Sequence, residues 1–340
     1  MKIDKLVVLA VILCSVVLIG ELTAYGPNTH NYNADCTLDG NIVNVSVSSS
    51  GSDTYSVIFM DNGTFAPPVQ LYIFSDERYD EFFDEARKTS NINRFDQHFA
   101  IDQITRSLRI RGLENIAICN EEKLLSSMTD DIGSGTPKGL LVISYALPQS
   151  IYSGEDGDLI FEWIKDGNSL YWMNSPIGMF YQDGSKLFEV TNSQELFFGK
   201  ECINTDGNDL ALYAIDNELT NALSLKWNRT IFGMDPTGIA GAVSFGFTQD
   251  GFVSTSMVPL GEGMVCVMGG RYDRNQCDDI SQIISSGVSC YSDVLKVDTG
   301  SVRRGTVYVD FDVPGGTGSL YVFVSIGGIY TVYGRAFDVQ

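Results

Sequence analysis

The sequence predicts an α/β fold, in which a parallel-sheet body of alternating strands and helices is flanked at both ends of the chain by β-rich segments. Three observations carry that prediction. After Pro67-Pro68 the apolar spacing switches from a period of two to one of about 3.6, the change from strand to helix. Gly139 to Ser144 is a largely apolar run of the kind that marks a strand covered on both faces of a parallel sheet. The stretches around Ile42 to Phe59 and from Arg304 to the end alternate apolar with polar residues, as half-buried strands do.

Ahead of the fold stands a leader. Lys2 and Lys5 precede an uncharged, mostly apolar run from Leu6 to Gly20 that ends at Glu21. At ~1.5 Å per residue the run covers roughly 22 Å, so it reads as a signal peptide or as an uncleaved signal anchor that borrows length from Ile3, the Lys5 stem and Leu22. A cut after Ala24 puts Leu22 at the −3 position, which favours the anchor. Positive charge before the run and acid after it predict a single-pass protein of the cell membrane, held through residues 6–20, with its N-terminus cytoplasmic and the bulk of the chain outside. Cleavage of the leader makes the protein secreted instead.

Segmentation follows from composition: a leader over 1–24, a Pro- and Asn-containing linker over 25–39, a β-hairpin over 40–66 turning at Ser48 to Ser52, an α/β domain over 67–292 and a β-rich segment over 293–340 that can pair with 40–66. Within the α/β domain, Val69 to Phe74 reads as a strand and Glu77 to Arg87 as a helix. Phe95 to Arg111 carries Phe99, Ile101, Ile104 and Leu108 at helical spacing, with Gly112 at its C-terminal cap. Ile116 to Cys119 is a short strand. Leu159, Ile160, Trp163 and Ile164 mark a helix that stops at Asp166-Gly167, and Ser169 to Met173 is the strand behind it. With Gly139 to Ser144 these form a βαβ unit. Glu218 to Trp227 reads as a helix, and Ala240 to Phe245 with Phe252 to Ser254 as a hairpin across Gln249-Asp250-Gly251. Met264 to Met268 is a strand, Gly269-Gly270 a tight turn, and Asp278 to Ser286 a helix closed by Gly287.

A net charge of −21 repels phosphate backbones and excludes nucleic acid as a natural partner. Hydrophobic residues at 44% and aromatics at 11% fill a core and exclude wholesale disorder. Six cysteines follow Cys14: Cys36, Cys119, Cys202, Cys266, Cys277 and Cys290. In an exported chain they predict one or two disulfides. Zinc is disfavoured, because no pair has C-x-x-C spacing and the histidines are His30 and His98 alone. Sequons at Asn44, Asn62 and Asn228 suit surface positions.

The segments GLLVISYALPQS (139–150), DLIFEWIKDGNSLYWMNSPIG (158–178) and VPLGEGMVCVMGGRYD (258–273) resemble class I glutamine amidotransferase-like domains. The resemblance covers roughly residues 69 to 290 and implies a flavodoxin-like α/β sheet with a nucleophile elbow after the strand Ser169 to Met173. That family needs a cysteine at the elbow and a late histidine as its base. Here Asn174-Ser175-Pro176 stands at the elbow and no histidine follows His98, so the resemblance implies a domain without its catalytic residues, a non-catalytic binding or structural module that needs no cofactor. Envelope proteins and glycans are the partners such a module suggests.

Topology places a ligand at the carboxyl ends of the parallel strands, in the loops Ser75 to Arg78, Ser144 to Gln149, Asn174 to Gly178 and Gly269 to Asp273. Ser144, Asn174, Ser175, Gly269 and Gly270 are the candidate binding residues. Asn174 and Ser175 also read simply as turn formers. A rival reading is an extracytoplasmic hydrolase using Ser175, which lacks the Gly-x-Ser-x-Gly frame, or the acidic loop Glu155 to Asp158. Glu155, Asp156 and Asp158 can hold Ca²⁺, which would make a calcium-stiffened adhesion protein, or can cap the following helix. The aromatic cluster Tyr171, Trp172, Phe180 and Tyr181 serves either as core or as a platform for a sugar ring.

Overall fold

The computed structural model describes residues 30–61, 67–76, 97–173, 175–184, 186–204, 210–211, 213–215, 219–220, 223, 225–226, 229–230, 232–269, 274–315, 317, 319–327 and 330–338. The leader over 1–24 and the helix expected at Glu77 to Arg87 lie outside the described residues, as does most of the helix expected at Glu218 to Trp227. No helix among the described residues is long and apolar enough to cross a membrane.

The longer elements, in chain order, are β1 (Tyr32–Asp39), β2 (Ile42–Asp61), β3 (Leu71–Phe74), α1 (Gln97–Ile110), β4 (Ile116–Cys119), α2 (Glu121–Asp131), β5 (Gly139–Val142), β6 (Ala146–Pro148), α3 (Leu159–Lys165), β7 (Ser169–Met173), β8 (Phe180–Asp183), β9 (Lys186–Glu189), α4 (Ser193–Phe198), β10 (Val243–Gln249), β11 (Phe252–Leu260), β12 (Gly263–Met268), α5 (Arg274–Ser286), β13 (Asp293–Asp312), β14 (Ser319–Ile326) and β15 (Tyr330–Asp338).

A ten-stranded mixed sheet forms the centre. β4, β3, β5, β7 and β12 lie side by side and parallel. β11 and β10 continue it antiparallel, joined by a hairpin at Asp250 and Gly251, both at positive φ as a two-residue turn requires. Period-two geometry sends alternate side chains to opposite faces. Leu71, Ile73, Leu141 and Tyr171 enter one core with Ile104 and Leu108 of α1 and Ile280, Ile283 and Ile284 of α5. Tyr72, Leu140, Val142 and Trp172 enter the other with Leu124 and Met128 of α2 and Ile160, Trp163 and Ile164 of α3. Both faces are thus covered, which is why these strands read as unbroken apolar runs.

The second large sheet is antiparallel and is made of β1, β2, β13, β14 and β15. β2 pairs with β1 through Ile42 to Ser49, with β14 through Tyr55 to Asp61, and with β13 along nearly its whole length. Its Val43, Val45, Val47, Val57 and Phe59 face a third core with Val309, Phe311, Leu320, Val322 and Val324. Ile58, Met60, Tyr321 and Phe323 turn the other way, onto the core beneath α1 and α5. Arg111, 6% exposed, ties the layers together: its Nε donates to Gln282 Oε1 at 2.7 Å, and Gln282 Nε2 reaches Ser325 Oγ of β14 at 3.5 Å.

The fold class expected from the sequence is therefore corrected. Strand predominates over helix, five of the ten strands in the central sheet lie outside the parallel run, and a separate antiparallel sheet packs against it, so a flavodoxin-like parallel body with terminal appendages does not describe the protein. Two local expectations change as well. Residues 32–39, placed in a linker, form β1, and Ser48 to Ser52, read as a hairpin turn, continue a single 20-residue strand. Of the one or two disulfides expected, none engages Cys119, Cys202, Cys266 or Cys290, which are free thiols. The cysteines are instead dispersed as small apolar side chains over the three cores.

Candidate functional site at the carboxyl edge of the parallel strands

Because β4, β3, β5, β7 and β12 are parallel, their carboxyl ends gather on one edge. Ser75 and Asp76 leave β3 there, Ser144 and Tyr145 leave β5, Ser175 follows β7 and Gly269 follows β12. A small sheet brings further groups to the same edge. β6 begins right after Tyr145, runs parallel to β8 with Pro148 opposite Gln182, and β8 turns into β9.

The centre of the arrangement is a knot of amides around Asp76. Gln182 Nε2 donates to Asp76 Oδ2 at 3.0 Å. Gln97 Nε2, at the start of α1, donates to the Asp76 backbone carbonyl at 3.1 Å, and Gln97 Oε1 accepts from Ser75 Oγ at 2.8 Å. Gln182 is 2% exposed, and its Oε1 is buried with no hydrogen-bond partner. A buried acceptor left unmet costs about 1 to 3 kcal/mol, so a donor seated here, a water or a ligand hydroxyl, would be stabilising.

Beside the knot the backbone is strained. Tyr145, 3% exposed, sits at φ 65°, a conformation that a bulky residue adopts only when its surroundings impose it. Ser144 Oγ closes a short loop over it by donating to Ala146 O at 2.8 Å. At the far end of the edge, Gln276 Nε2 donates to the Gly269 carbonyl and docks the first turn of α5 on β12.

The predicted site residues fare differently. Ser144 lies at the edge but is fully buried and spends its proton locally. Ser175, 5% exposed, accepts from Trp172 Nε1 at 3.1 Å and is not presented as a nucleophile. Gly269 is at the edge, whereas Asn174 and Gly270 lie outside the described residues. Of the aromatic cluster, Tyr171 and Trp172 are core, while Phe180 and Tyr181 are half-buried on β8. Cys119, at the end of β4, has its thiol pushed up by burial and is a poor nucleophile.

Glu155, Asp156 and Asp158 do not converge. Glu155 and Asp156 are exposed, and Asp158 is consumed by its own loop: its Oδ2 accepts from the backbone N–H groups of Ser153, Gly154 and Glu155 at 2.7 to 2.9 Å, and its Oδ1 from Ser153 Oγ at 2.7 Å. It stands at the N-cap of α3 without capping it. Among the described residues no three His, Cys, Asp or Glu side chains group as a metal site. Sequence reasoning marked the loop containing Asp76 but missed Gln97 and Gln182, because a lone glutamine next to a turn belongs to no motif.

No protein-family model matches the chain, and no curated protein does. Solved structures similar to it include a β-galactosidase from Rahnella sp. R3, 13% identical with a TM-score of 0.40, covering 75% of this chain and 35% of that one. A β-galactosidase from Bacillus circulans sp. alkalophilus is 12% identical with a TM-score of 0.36 and the same coverages. The exo-β-1,4-mannosidase of Opitutaceae bacterium strain TAV5 is 12% identical with a TM-score of 0.33, covering 65% of this chain and 33% of that one. The chain thus spans about a third of the length of these structures. The amidotransferase resemblance is corrected, since no such family model matches the chain. The expectation of a non-catalytic module falls with it. At such TM-scores the likeness assigns no activity in their place.

Proposed function

We propose that the carboxyl edge of the parallel strands binds a neutral carbohydrate. The carrying observation is the buried, unpartnered Oε1 of Gln182, fixed in place by the bond from its Nε2 to Asp76. Gln182 Oε1 is closed off from solvent as the edge stands, so a ligand reaches it by displacing what covers it; the group that does so donates a hydrogen bond to Gln182 and sits against a carboxylate. A sugar hydroxyl does both, since it donates and accepts at one atom, and a few fixed polar groups of this kind orient a small ligand. Asp76 and the net charge of −21 select against anionic ligands such as uronates or nucleotides. With the expected leader in place, the edge is presented outside the cell, where glycans are at hand.

The hairpin face that carries Gln182 also carries Glu189, opposite Phe180 in register. Asp76 and Glu189 are two of the carboxylates near this edge, and hydrolysis of a glycosidic bond takes a pair. The test is calorimetric titration of the chain with glucose, galactose, mannose and their β-1,4-linked oligomers, with release of reducing sugar followed on the same panel. Binding weakened about tenfold by Gln182→Leu, with an unchanged melting temperature, supports the reading. Sugar release lost in both Asp76→Asn and Glu189→Gln extends it to hydrolysis. No heat and no product with any member of the panel would overturn it and leave the Gln182 acceptor as the seat of a buried water.

A further inference from the structure

Resting on the reading just given, we infer that the site takes an oligosaccharide, with the ring of Phe188 as a second sugar contact beyond the Gln182 and Asp76 pair. Phe188 of β9 lies opposite Tyr181 of β8, and the two rings stack at 5.1 Å between centroids with an interplanar angle of 14°. Tyr181 is half-buried against the core under α2 and α3, so it backs Phe188 and holds it still. Phe188 remains 38% exposed. An aromatic ring with one face supported and the other open is preorganised for a flat ligand, because little side-chain freedom is left to lose.

The surroundings choose the ligand. Asp183 and Lys186 form the next register pair on the same face of the hairpin, and both are exposed. A single ring flanked by two charges is far too small for a protein interface, which takes roughly 800 Å² per partner. It fits one pyranose, whose C–H face lies on the ring while its equatorial hydroxyls reach the flanking charges. Gln182 and Phe188 lie on adjacent strands but on opposite faces of the hairpin, so a ligand that touches both must pass around the edge of the sheet, a path longer than one sugar ring. The ligand passes over β9, which is the free edge of the β6-β8-β9 sheet. A monosaccharide cannot bridge that distance, and a chain of several units can.

The experiment compares each monosaccharide with its tetrasaccharide on the wild-type chain, Phe188→Ala and Phe188→Trp. In the wild type the tetrasaccharide should bind more tightly than the monosaccharide. Phe188→Ala should then weaken only the tetrasaccharide, by about three- to tenfold, and Phe188→Trp should restore it. Equal affinity for both lengths, or a Phe188→Ala chain indistinguishable from wild type, overturns the second contact while leaving the Gln182 contact intact. Loss of all sugar binding in the wild type overturns both. Phe188→Ala exposes Tyr181, so a melting curve for each variant separates a binding defect from a folded-state defect.

Discussion

Replacing Gly263 by alanine should be among the most damaging single-methyl changes in the protein. Gly263 opens β12 just after the Gly261-Glu262 turn, where the strand packs against the turn between α3 and β7. A Cβ there would lie closer than 3.0 Å to the carbonyl oxygens of both Ile164 and Asn168, whereas ordinary contact begins at 3.4 Å. These are backbone atoms, and they cannot swing aside. The same turn is held by Glu262 N donating to Lys165 O at 3.1 Å and Met264 N donating to Asn168 O at 3.2 Å. Relief by a shift of roughly 1 Å breaks both bonds. Overpacking at about 2 kcal/mol and two bonds at about 1 kcal/mol each give about 4 kcal/mol. With an unfolding entropy of about 2.1 cal/mol/K per residue, that corresponds to a melting temperature about 6 °C lower for a chain of this length. Scanning calorimetry measures it, with Gly157→Ala as control, because nothing lies within 4 Å of a Cβ at Gly157. A Gly263→Ala chain melting within 1 °C of wild type would refute the account of how β12 docks on the α3–β7 turn.

Other consequences are open to equally direct measurement. Asp158→Ala removes the acceptor for three backbone N–H groups and one hydroxyl and should cost about 2 kcal/mol, whereas the exposed Asp156→Asn should leave the melting curve unchanged; equal effects would show that the loop is not held by Asp158. Burial raises the thiols of Cys202 and Cys290 to about 12 from the usual 9.0. The unfolded chain therefore gives up these protons from about pH 9 upward while the folded chain keeps them, so stability should be full below that pH and decline as pH rises through the window to 12. Urea midpoints at pH 7.5, 9 and 10 test this, and Cys202→Ala with Cys290→Ala should flatten the decline. If residues 6–20 anchor the chain with Lys2 and Lys5 inside, protease added to intact cells should degrade the folded region; protection until lysis would reverse the orientation.

Local pattern located most of the individual elements and misjudged their assembly. The helical spacing of Ile101, Ile104 and Leu108 and the Gly112 stop correspond to α1, and the Gln249-Asp250-Gly251 signal to the β10–β11 hairpin. These signals are local because the interactions behind them span four residues or fewer. The Ser48 to Ser52 segment shows the limit. Its composition is that of a turn, but β13 follows it around the bend. The register of β13 slips between Arg303 and Gly305, with Arg304 at φ 43°, so both strands curve together and the pairing survives. The information that makes β2 one strand lies about 250 residues away in the sequence.

The site illustrates the same point at the level of a single atom. Ser144, Ser175 and Gly269 are legible because each follows an apolar strand, and the carboxyl ends of parallel strands are where ligands gather. Following a strand, however, says nothing about exposure, and Ser144 and Ser175 are buried with their bonds already made. Gln182 reaches the edge by another route: three residues of β6 pair with three of β8, and that short ladder aims the amide at Asp76, 106 positions earlier in the chain. Neither residue is informative alone. What makes the pair a candidate site is the acceptor left over after Asp76 takes the amide's donor, and such a remainder is visible only when every neighbouring hydrogen bond has been accounted for.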